Sequence, residues 1–163
     1  KDKKVLHIGC SDWPIFNPKG NLHIHLQDCC KELHGVDPNG LDTLSKYCKG
    51  DLFHTIHIAD ENYDVILAPN ILEHVTEAEW LVKSMFNRNF KQMFILVPNY
   101  KVYEQSSYED GIFTERIHPD HYCWYSPYTL YNLFSEHIKK HKCDFEMNFF
   151  DNQNMISILI WTK

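Results

Sequence analysis

The residues Val5-Leu6-His7-Ile8-Gly9 constrain the fold more than any other part of the chain. Three of the four residues before the glycine are apolar, which is typical of a buried strand in a parallel sheet. In an open α/β fold a ligand lies beyond the carboxyl end of such a strand, where a glycine lets the backbone approach it. The sequence therefore predicts a central first strand with a binding site immediately after Gly9.

Length and composition limit the number of domains, the possible binding partners and the expected compartment. A chain of 163 residues is expected to form a single domain, here 1–163. Its formal net charge of −6 argues against nucleic acid or an anionic membrane as the main partner. No apolar run approaches the roughly 20 residues of a membrane span, and no secretory signal pattern is found. Six scattered cysteines without a C-x-x-C pair favour reduced thiols, so we expect a cytoplasmic protein.

Strand-like and helix-like patterns alternate along the chain. The predicted strands are Val5–Ile8, Leu33–Asp37, Gly50–Phe53, Val65–Pro69 and Met93–Asn99, followed by a hairpin of Asp144–Phe150 and Met155–Trp161. The predicted helices are Leu22–Leu33, Leu41–Tyr47, one capped by Thr76 and Glu79, and one starting at Ser126-Pro127. This alternation indicates an α/β fold whose parallel sheet ends in an antiparallel strand.

Two long loops interrupt the pattern. Pro14, Pro18 and Gly20 prevent a helix directly after the first strand, so a loop from Ser11 to about Asn21 is expected to hang over its end. The second loop, Tyr100–Tyr125, is polar, aromatic and rich in histidine. A loop of this length in a small domain is usually functional or disordered.

Asp37 is the first candidate binding residue. It ends the second predicted strand and precedes Pro38, so one reading is a simple turn residue. The other is a carboxylate that accepts both ribose hydroxyls of a nucleoside cofactor, as in dinucleotide-binding folds, where an acid follows the glycine turn by about 20 residues. Its position after the second strand favours the ribose role.

Several motifs resemble those of class I methyltransferases that use S-adenosylmethionine (SAM). Val5-Leu6-His7-Ile8-Gly9-Cys10-Ser11-Asp12-Trp13 resembles their opening motif V-L-D-I-G-C-G-x-G, with His7, Ser11 and Trp13 as departures. The segment 64–74 is similar to D-V-I-x-A-x-x-x-L-E-H and is the most specific match. His118–Ser126 resembles an H-P-D-H-x-x-W-[FY]-S block of a small group of these enzymes. The resemblance spans nearly the whole chain and implies a Rossmann-like sandwich, with a mostly parallel seven-stranded sheet, an antiparallel last strand and helices on both faces.

The resemblance also implies a cofactor and the residues that hold it. SAM would be bound by residues of the first four strand ends: Gly9, Cys10, Asp12, Asp37, Pro38, Asp51, Leu52, Pro69 and Asn70. In this assignment Asp37 holds the ribose, whereas Asp51, Leu52 and Pro69 form the adenine slot. His7 replaces the family's acid, so Asp12 is the candidate partner of the methionine ammonium. Trp13 either crowds the cofactor or covers it as a lid.

The predicted reaction is methyl transfer to an oxygen or nitrogen of a small-molecule acceptor. Histidine is the natural proton acceptor near neutral pH. His121 is the first candidate for the base and His74 the second, with Asp120 or Glu73 orienting the ring of His121. The alternative for Glu73 and His74 is that they only begin a loop and pack.

The sequence also bears on three alternatives: a metal site, a non-catalytic binding protein and a dinucleotide-binding protein. The spacing of the cysteine and histidines in His118–Cys123 is not that of a zinc finger or a zincin, so no metal site is predicted. Ser11 and Trp13 replace two glycines of the opening motif, which is also consistent with a degenerate methyltransferase that binds a ligand or partner without catalysis. A dinucleotide-binding protein is disfavoured, since no G-x-G-x-x-G motif is present. The oligomeric state does not follow from the sequence.

Overall fold

The computed structural model describes residues 1–100 and 120–163, and also the backbone of two short strands between them. The strands are β1 (Lys4–Ile8), β2 (Glu32–Val36), β3 (Leu52–Phe53), β4 (Val65–Pro69), β5 (Gln92–Pro98), β6 (Tyr108–Glu109), β7 (Ile112–Phe113), β8 (Cys143–Phe150) and β9 (Met155–Thr162). The α-helices are α1 (Leu22–Leu26), α2 (Leu41–Leu44), α3 (Ala78–Phe86) and α4 (Pro127–His141). Short 3-10 turns lie at Ile56–Ile58 and Leu72–His74.

Seven strands form one sheet in the order β3-β2-β1-β4-β5-β9-β8. The first five strands in this order pair in parallel, and β9 runs antiparallel between β5 and β8. Strand β1 is central and hydrogen-bonds β2 on one side and β4 on the other. The predicted seven-stranded sheet with an antiparallel last strand is confirmed, although the antiparallel strand is not the edge strand.

The main core lies on the face of the sheet that α3 and α4 cover. One row of side chains across four neighbouring strands is completely buried: Leu6, Ile66, Met93 and Ile160. Met85 from α3 and Phe134 from α4 pack into the same cluster and are also fully buried. Burying a side chain of this size contributes about 1.5–3 kcal/mol, so this face supplies most of the hydrophobic stabilisation.

The opposite face is covered by α1 and α2 next to β1 and β2. Cys10, Leu41 and Leu44 form a second, smaller buried cluster there. A Cβ on Gly35 would lie 2.7 Å from the Cys10 sulfur and 2.9 Å from the His23 ring, so α1 packs directly on the backbone of β2. Helices therefore lie on both faces, as predicted. Within the described part of the chain, none of these helices has the length and apolarity needed to cross a membrane.

The first predicted helix is wrong in its second half. The pattern predicted a helix over Leu22–Leu33, whereas α1 ends at Leu26 and β2 begins at Glu32. Leu33 fits both the helical repeat and the second strand. Strand pairing decides its conformation, because Leu33 pairs with Val5 in β1 and is buried there. Helix α2 also ends early, at Leu44 instead of Tyr47.

The two predicted helix starts have different outcomes. The capping box of Thr76 and Glu79 is wrong, since α3 starts after Glu77 and no side chain caps it. The start at Ser126-Pro127 is confirmed: the Ser126 hydroxyl accepts the Thr129 N–H at 3.2 Å, and the Thr129 hydroxyl accepts the Ser126 N–H at 2.8 Å. In the block His118–Ser126, His118 and Pro119 lie outside the described residues.

Removing the cap of α4 tests how far this helix supports the fold. Ser126→Ala is expected to lower the free energy of unfolding by about 1 kcal/mol, because the Thr129 N–H loses its side-chain acceptor. Ser135, a half-buried serine within the same helix, is the matched control. Ser135→Ala is expected to be neutral or slightly stabilising, because alanine has the higher helix propensity. Urea unfolding of both variants measures the difference, and equal values would show that the cap contributes nothing.

Candidate functional site

A cavity of about 1010 Å³ opens beyond the carboxyl ends of β1, β2 and β4. This is the switch point of the sheet, where the chain continues to β2 on one side of β1 and to β4 on the other. The cavity is lined by residues of the strand ends and the loops that follow them: His7, Ile8, Gly9, Asp12, Trp13, Pro14, Ile15, Asn17, Gly20, Leu22, Val36, Asp37, Pro38, Asn39, His54, Thr55, Ile56, Pro69, Asn70, Ile71, His74, Val75, Trp80, Leu81 and Asp120. Its volume is that of pockets that enclose cofactors and drug-sized ligands.

Gly9 allows β1 to turn at the floor of this cavity. Its φ of +76° is in the region that other residues rarely adopt. A Cβ there would lie 3.0 Å from the Ile71 side chain, so a larger residue would also collide. The Gly9 N–H donates to the Val36 carbonyl at 2.8 Å, which fixes the turn to the end of β2.

The Asp37 carboxylate is held in a defined orientation at the cavity wall. One of its oxygens accepts the Ser11 N–H and the other accepts the Asn39 N–H, both at 3.0 Å. Only 8% of the residue is exposed. Two backbone donors therefore orient a buried carboxylate, and each oxygen keeps lone pairs that a ligand in the cavity can use.

Asn21 organises the loop between β1 and α1, and the sequence analysis did not identify it. Its side-chain amide donates to the Cys10 carbonyl at 2.9 Å and to the Asp12 carboxylate at 2.8 Å. Its side-chain oxygen accepts the Ile24 N–H at 3.0 Å and so caps α1. Burial raises the pKa of Asp12, and the Asn21 hydrogen bond partly offsets that rise. An asparagine directly before a helix is a recognisable cap signal, but its contact with Asp12 depends on the loop conformation.

His7 and His23 form a buried imidazole pair beside the cavity. Their Nδ1 atoms lie 3.3 Å apart and the rings stack, so one ring donates and the other accepts. Burial, with the neighbouring His23 ring as the smaller cause, lowers the pKa of His7 to about 3. Burial likewise lowers the pKa of His23 to about 4. Both rings are therefore neutral at physiological pH, and His7 cannot supply the negative charge that an acid would supply at this position.

A second group of polar residues lies where the 3-10 turn after β4 meets the segment before α4. The ligand atoms of Glu73, His74 and His121 all lie within 4.8 Å of one another. The His74 Nδ1–H donates to the Asp120 carbonyl at 2.9 Å, and the His121 ring meets the His74 ring edge-on at 4.6 Å. The Glu73 carbonyl accepts the Tyr122 N–H at 2.7 Å, which holds the two segments together.

Glu73 is the buried member of this group. Only 2% of the residue is exposed, and burial raises the pKa of its carboxyl to about 7. Its Oε2 atom is buried and has no hydrogen-bond partner among the described residues. A buried oxygen without a partner costs free energy, so such an atom in a folded protein calls for an explanation.

The structure brings most, but not all, of the predicted site residues together. Gly9, Asp12, Asp37, Pro38, Pro69, Asn70 and His74 line the cavity. Glu73 and His121 lie beside it, in contact with His74 or its neighbours, and are not lining residues. The Cys10 side chain points into the second core cluster instead, and burial raises the pKa of its thiol.

Asp51 and Leu52 are also outside the cavity lining. The side chain of Asp51 is 76% exposed, and Leu52 packs against the cluster of Cys10, Leu41 and Leu44. The lining residues that follow β3 are His54, Thr55 and Ile56, a few positions further along the chain. The segment that the motif match selected therefore lies at a strand end that borders the cavity, whereas the residues that line the cavity come slightly later.

Apolar side chains surround the mouth of the cavity. Trp13 and Ile15 on the loop after β1, and Trp80 on α3, all line the cavity. Their exposed fractions are 57%, 84% and 42%. Large apolar groups at the rim of a concave site are typical of surfaces that a ligand covers.

No family model matches the sequence, and no curated protein matches it with significance. Solved structures match over nearly the whole chain. The plantazolicin methyltransferase BpumL in complex with SAH is 14% identical, with a TM-score of 0.72, over 98% of this chain and 76% of that one. The methyltransferase domain of bacterial CtHen1-CN is 16% identical, with a TM-score of 0.66. The match covers 98% of this chain and 90% of that domain.

A chain of the Pnkp1/Rnl/Hen1 RNA repair complex is 15% identical, with a TM-score of 0.69 over 98% of this chain. The present chain spans only 38% of the length of that protein. Magnesium protoporphyrin IX methyltransferase from Synechocystis PCC 6803, with bound SAH, also matches, at 11% identity and a TM-score of 0.67. The match covers 99% of the present chain and 75% of that protein. These likenesses show that the chain has the Rossmann-like methyltransferase fold.

The neutral histidine pair predicts a pH dependence of stability. The folded-state pKa values of His7 and His23 lie below the ordinary 6.5. As pH falls below 6.5 the unfolded chain takes up protons that the folded chain does not, so stability is lost from about pH 6.5 down to 4 for His23 and down to 3 for His7. Each ring contributes at most about 1.4 kcal/mol per pH unit.

Urea unfolding between pH 7.5 and 5 measures this effect. In His7→Gln the free energy of unfolding is expected to fall less steeply with decreasing pH than in the parent. His25→Gln, in the same helix as His23 but exposed, is the control and should keep the parent's slope. An unchanged slope in His7→Gln would show that this pair does not titrate on unfolding.

Proposed function

We propose that this chain binds SAM in the cavity and transfers its methyl group to an oxygen or nitrogen of a small-molecule acceptor. The observation that carries the proposal is the Asp37 carboxylate, which two backbone N–H groups orient toward a cavity at the switch point of the sheet. A carboxylate after the second strand suits the diol of a nucleoside. The SAH bound in several proteins of the same fold supports SAM as that nucleoside.

The cavity offers a distinct partner for each part of SAM. Asp37 accepts the ribose hydroxyls, and the turn at Gly9 lets the methionine end lie close to the backbone. Asp12 accepts the ammonium, because His7 is neutral. His54, Thr55 and Ile56 line the wall where the adenine would lie, in place of Asp51 and Leu52.

The acceptor is expected on the side of Glu73, His74 and His121. Methyl transfer is a direct displacement, so the enzyme gains most by aligning the acceptor atom with the methyl–sulfonium bond. His74 lines the cavity, and its Nδ1–H is bound to the Asp120 carbonyl, which leaves Nε2 as its lone-pair nitrogen. The cluster therefore contains the groups that activate an acceptor hydroxyl or amine. The sequence analysis ranks His121 first among the candidate bases, whereas we place His74 nearest the acceptor because it lines the cavity and His121 does not.

Calorimetric titration of the chain with SAM, SAH and NAD tests cofactor binding directly. SAM and SAH are expected to bind with one site per chain, and NAD is not. Release of SAH from SAM, measured with panels of small hydroxy and amino compounds, peptides and short RNA, then separates the acceptor classes. Binding of SAM with no turnover in any panel would favour a degenerate binding module, and binding of NAD alone would contradict the proposal.

Asp37 and Asp51 provide a matched pair of variants for the cofactor site. Asp37→Asn is expected to weaken SAM binding by about 1.5–3 kcal/mol, the value of hydrogen bonds to a charged group. Asp51→Asn should leave the affinity unchanged, because its side chain is exposed and lies outside the cavity lining. Asp37 also holds Ser11 and Asn39, so calorimetry is combined with thermal unfolding to separate lost binding from lost structure. Equal losses in both variants would mean that the ligand lies elsewhere.

Trp13 tests whether the first loop covers the cofactor. Its side chain lines the cavity and is 57% exposed, so a bound ligand would bury much of the remaining indole surface. Trp13→Gly restores the glycine of the family motif, yet it is expected to weaken SAM binding because apolar contact area is lost. Calorimetric titration with SAM measures the change. Tighter binding in the variant would show that the tryptophan obstructs the site.

A further inference from the structure

We propose that Glu73, His74 and His121 bind a divalent transition metal ion beside the cavity. Their three ligand atoms lie within 4.8 Å of one another, although His121 belongs to a different segment of the chain from Glu73 and His74. Two imidazoles and one carboxylate form a ligand set that suits Zn²⁺ and its first-row neighbours, whereas Mg²⁺ and Ca²⁺ prefer oxygen ligands alone.

The buried carboxylate oxygen of Glu73 is the second observation that indicates a cation. Oε2 has no hydrogen-bond partner among the described residues, and the residue is only 2% exposed. A carboxylate in such a place is stabilised when it coordinates a metal, because buried charges in proteins are paired or bound to metals.

His74 is oriented as a metal ligand requires. Its Nδ1–H donates to the Asp120 carbonyl at 2.9 Å, which fixes the tautomer in which Nε2 carries the lone pair, as a ligand atom must. Metal-binding histidines commonly donate their other N–H to a backbone carbonyl in this way. The Glu73 carbonyl in turn accepts the Tyr122 N–H at 2.7 Å, which keeps His121 close to Glu73.

A second group of potential ligands, Glu32, His34 and Asp60, is less suitable. The Lys4 ammonium contacts both carboxylates, at 2.6 Å in the case of Glu32, so a cation already neutralises them. Both ring nitrogens of His34 are also engaged, with Tyr63 at 3.0 Å and with Glu32 at 2.9 Å. This group serves instead as a control for unspecific metal binding.

Three protein ligands leave coordination positions open, which is the arrangement of catalytic rather than structural metal sites. His74 lines the cavity, so an open position on this side would face the acceptor. This role of the ion rests on the proposed methyl transfer, whereas ion binding itself does not. When the His74 lone pair coordinates the ion, the ion and not His74 would activate the acceptor. An acceptor oxygen bound there would lose its proton to water more easily, since a metal ion lowers the pKa of a coordinated hydroxyl or water.

Titration of the chelator-treated, untagged chain with Zn²⁺, and with Co²⁺ as a spectroscopic probe, tests the site. One ion per chain is expected to bind, and the visible bands of Co²⁺ should intensify as nitrogen ligands replace water. His121→Gln and Glu73→Gln should each weaken binding at least about tenfold, since loss of even a residue that only orients a ligand costs 10–100-fold. Asp60→Asn should bind the ion as tightly as the parent.

The outcomes separate this proposal from the proposed function. Absence of ion binding in the parent, or loss of binding in Asp60→Asn with retention in His121→Gln, would overturn the metal site. Circular dichroism of each variant shows whether it is folded, and Glu73→Gln preserves the shape of the buried side chain. A parallel SAM titration of the metal-free chain tests the cofactor site alone, so failure of either site is recognised independently of the other.

Discussion

The turn at the end of β1 is the constraint on which the rest of the site depends. Strand β1 has a neighbouring strand on each side, β2 and β4, so the chain must turn out of the plane of the sheet where β1 ends. Gly9 makes that exit with a positive φ, and its N–H bonds to the end of β2. Ser11, two residues later, donates to Asp37. One backbone turn thus joins two strand ends and orients the carboxylate that we assign to the cofactor.

Electrostatics divides the cavity into two sides. On the β1–β2 side, Asp12, Asp37 and His7 line the cavity, and burial keeps His7 and its partner His23 neutral. The two aspartates are therefore the acidic groups of this wall. This wall suits the hydroxyls and ammonium of SAM. On the other side, Glu73, His74 and His121 combine one buried carboxylate with two imidazoles, a set suited to a metal ion and to an acceptor. The two proposals therefore involve different residues, the first set in the cavity wall and the second partly beside it.

Local pattern predicted the strands better than the helices. Val65–Pro69 was predicted with the observed bounds, because a short apolar run between polar segments has few alternatives. Leu22–Leu33 was not, because leucines at helical spacing also fit a strand that pairs with β1. For the candidate site, Asp37 and Gly9 follow from strand ends, whereas Asn21 was missed because its contacts with Cys10 and Asp12 exist only in the folded loop.

The sequence by itself determined the order of strands and helices, the glycine turn and the position of Asp37, since each depends on neighbouring residues and on the rules of parallel sheets. Only the tertiary structure decided that Asp51 faces solvent and that Cys10 faces the core. It also decided that Asp120 meets His74, 46 residues away along the chain. Contacts of this kind depend on how loops pack above the sheet, and no periodicity along the chain encodes that packing.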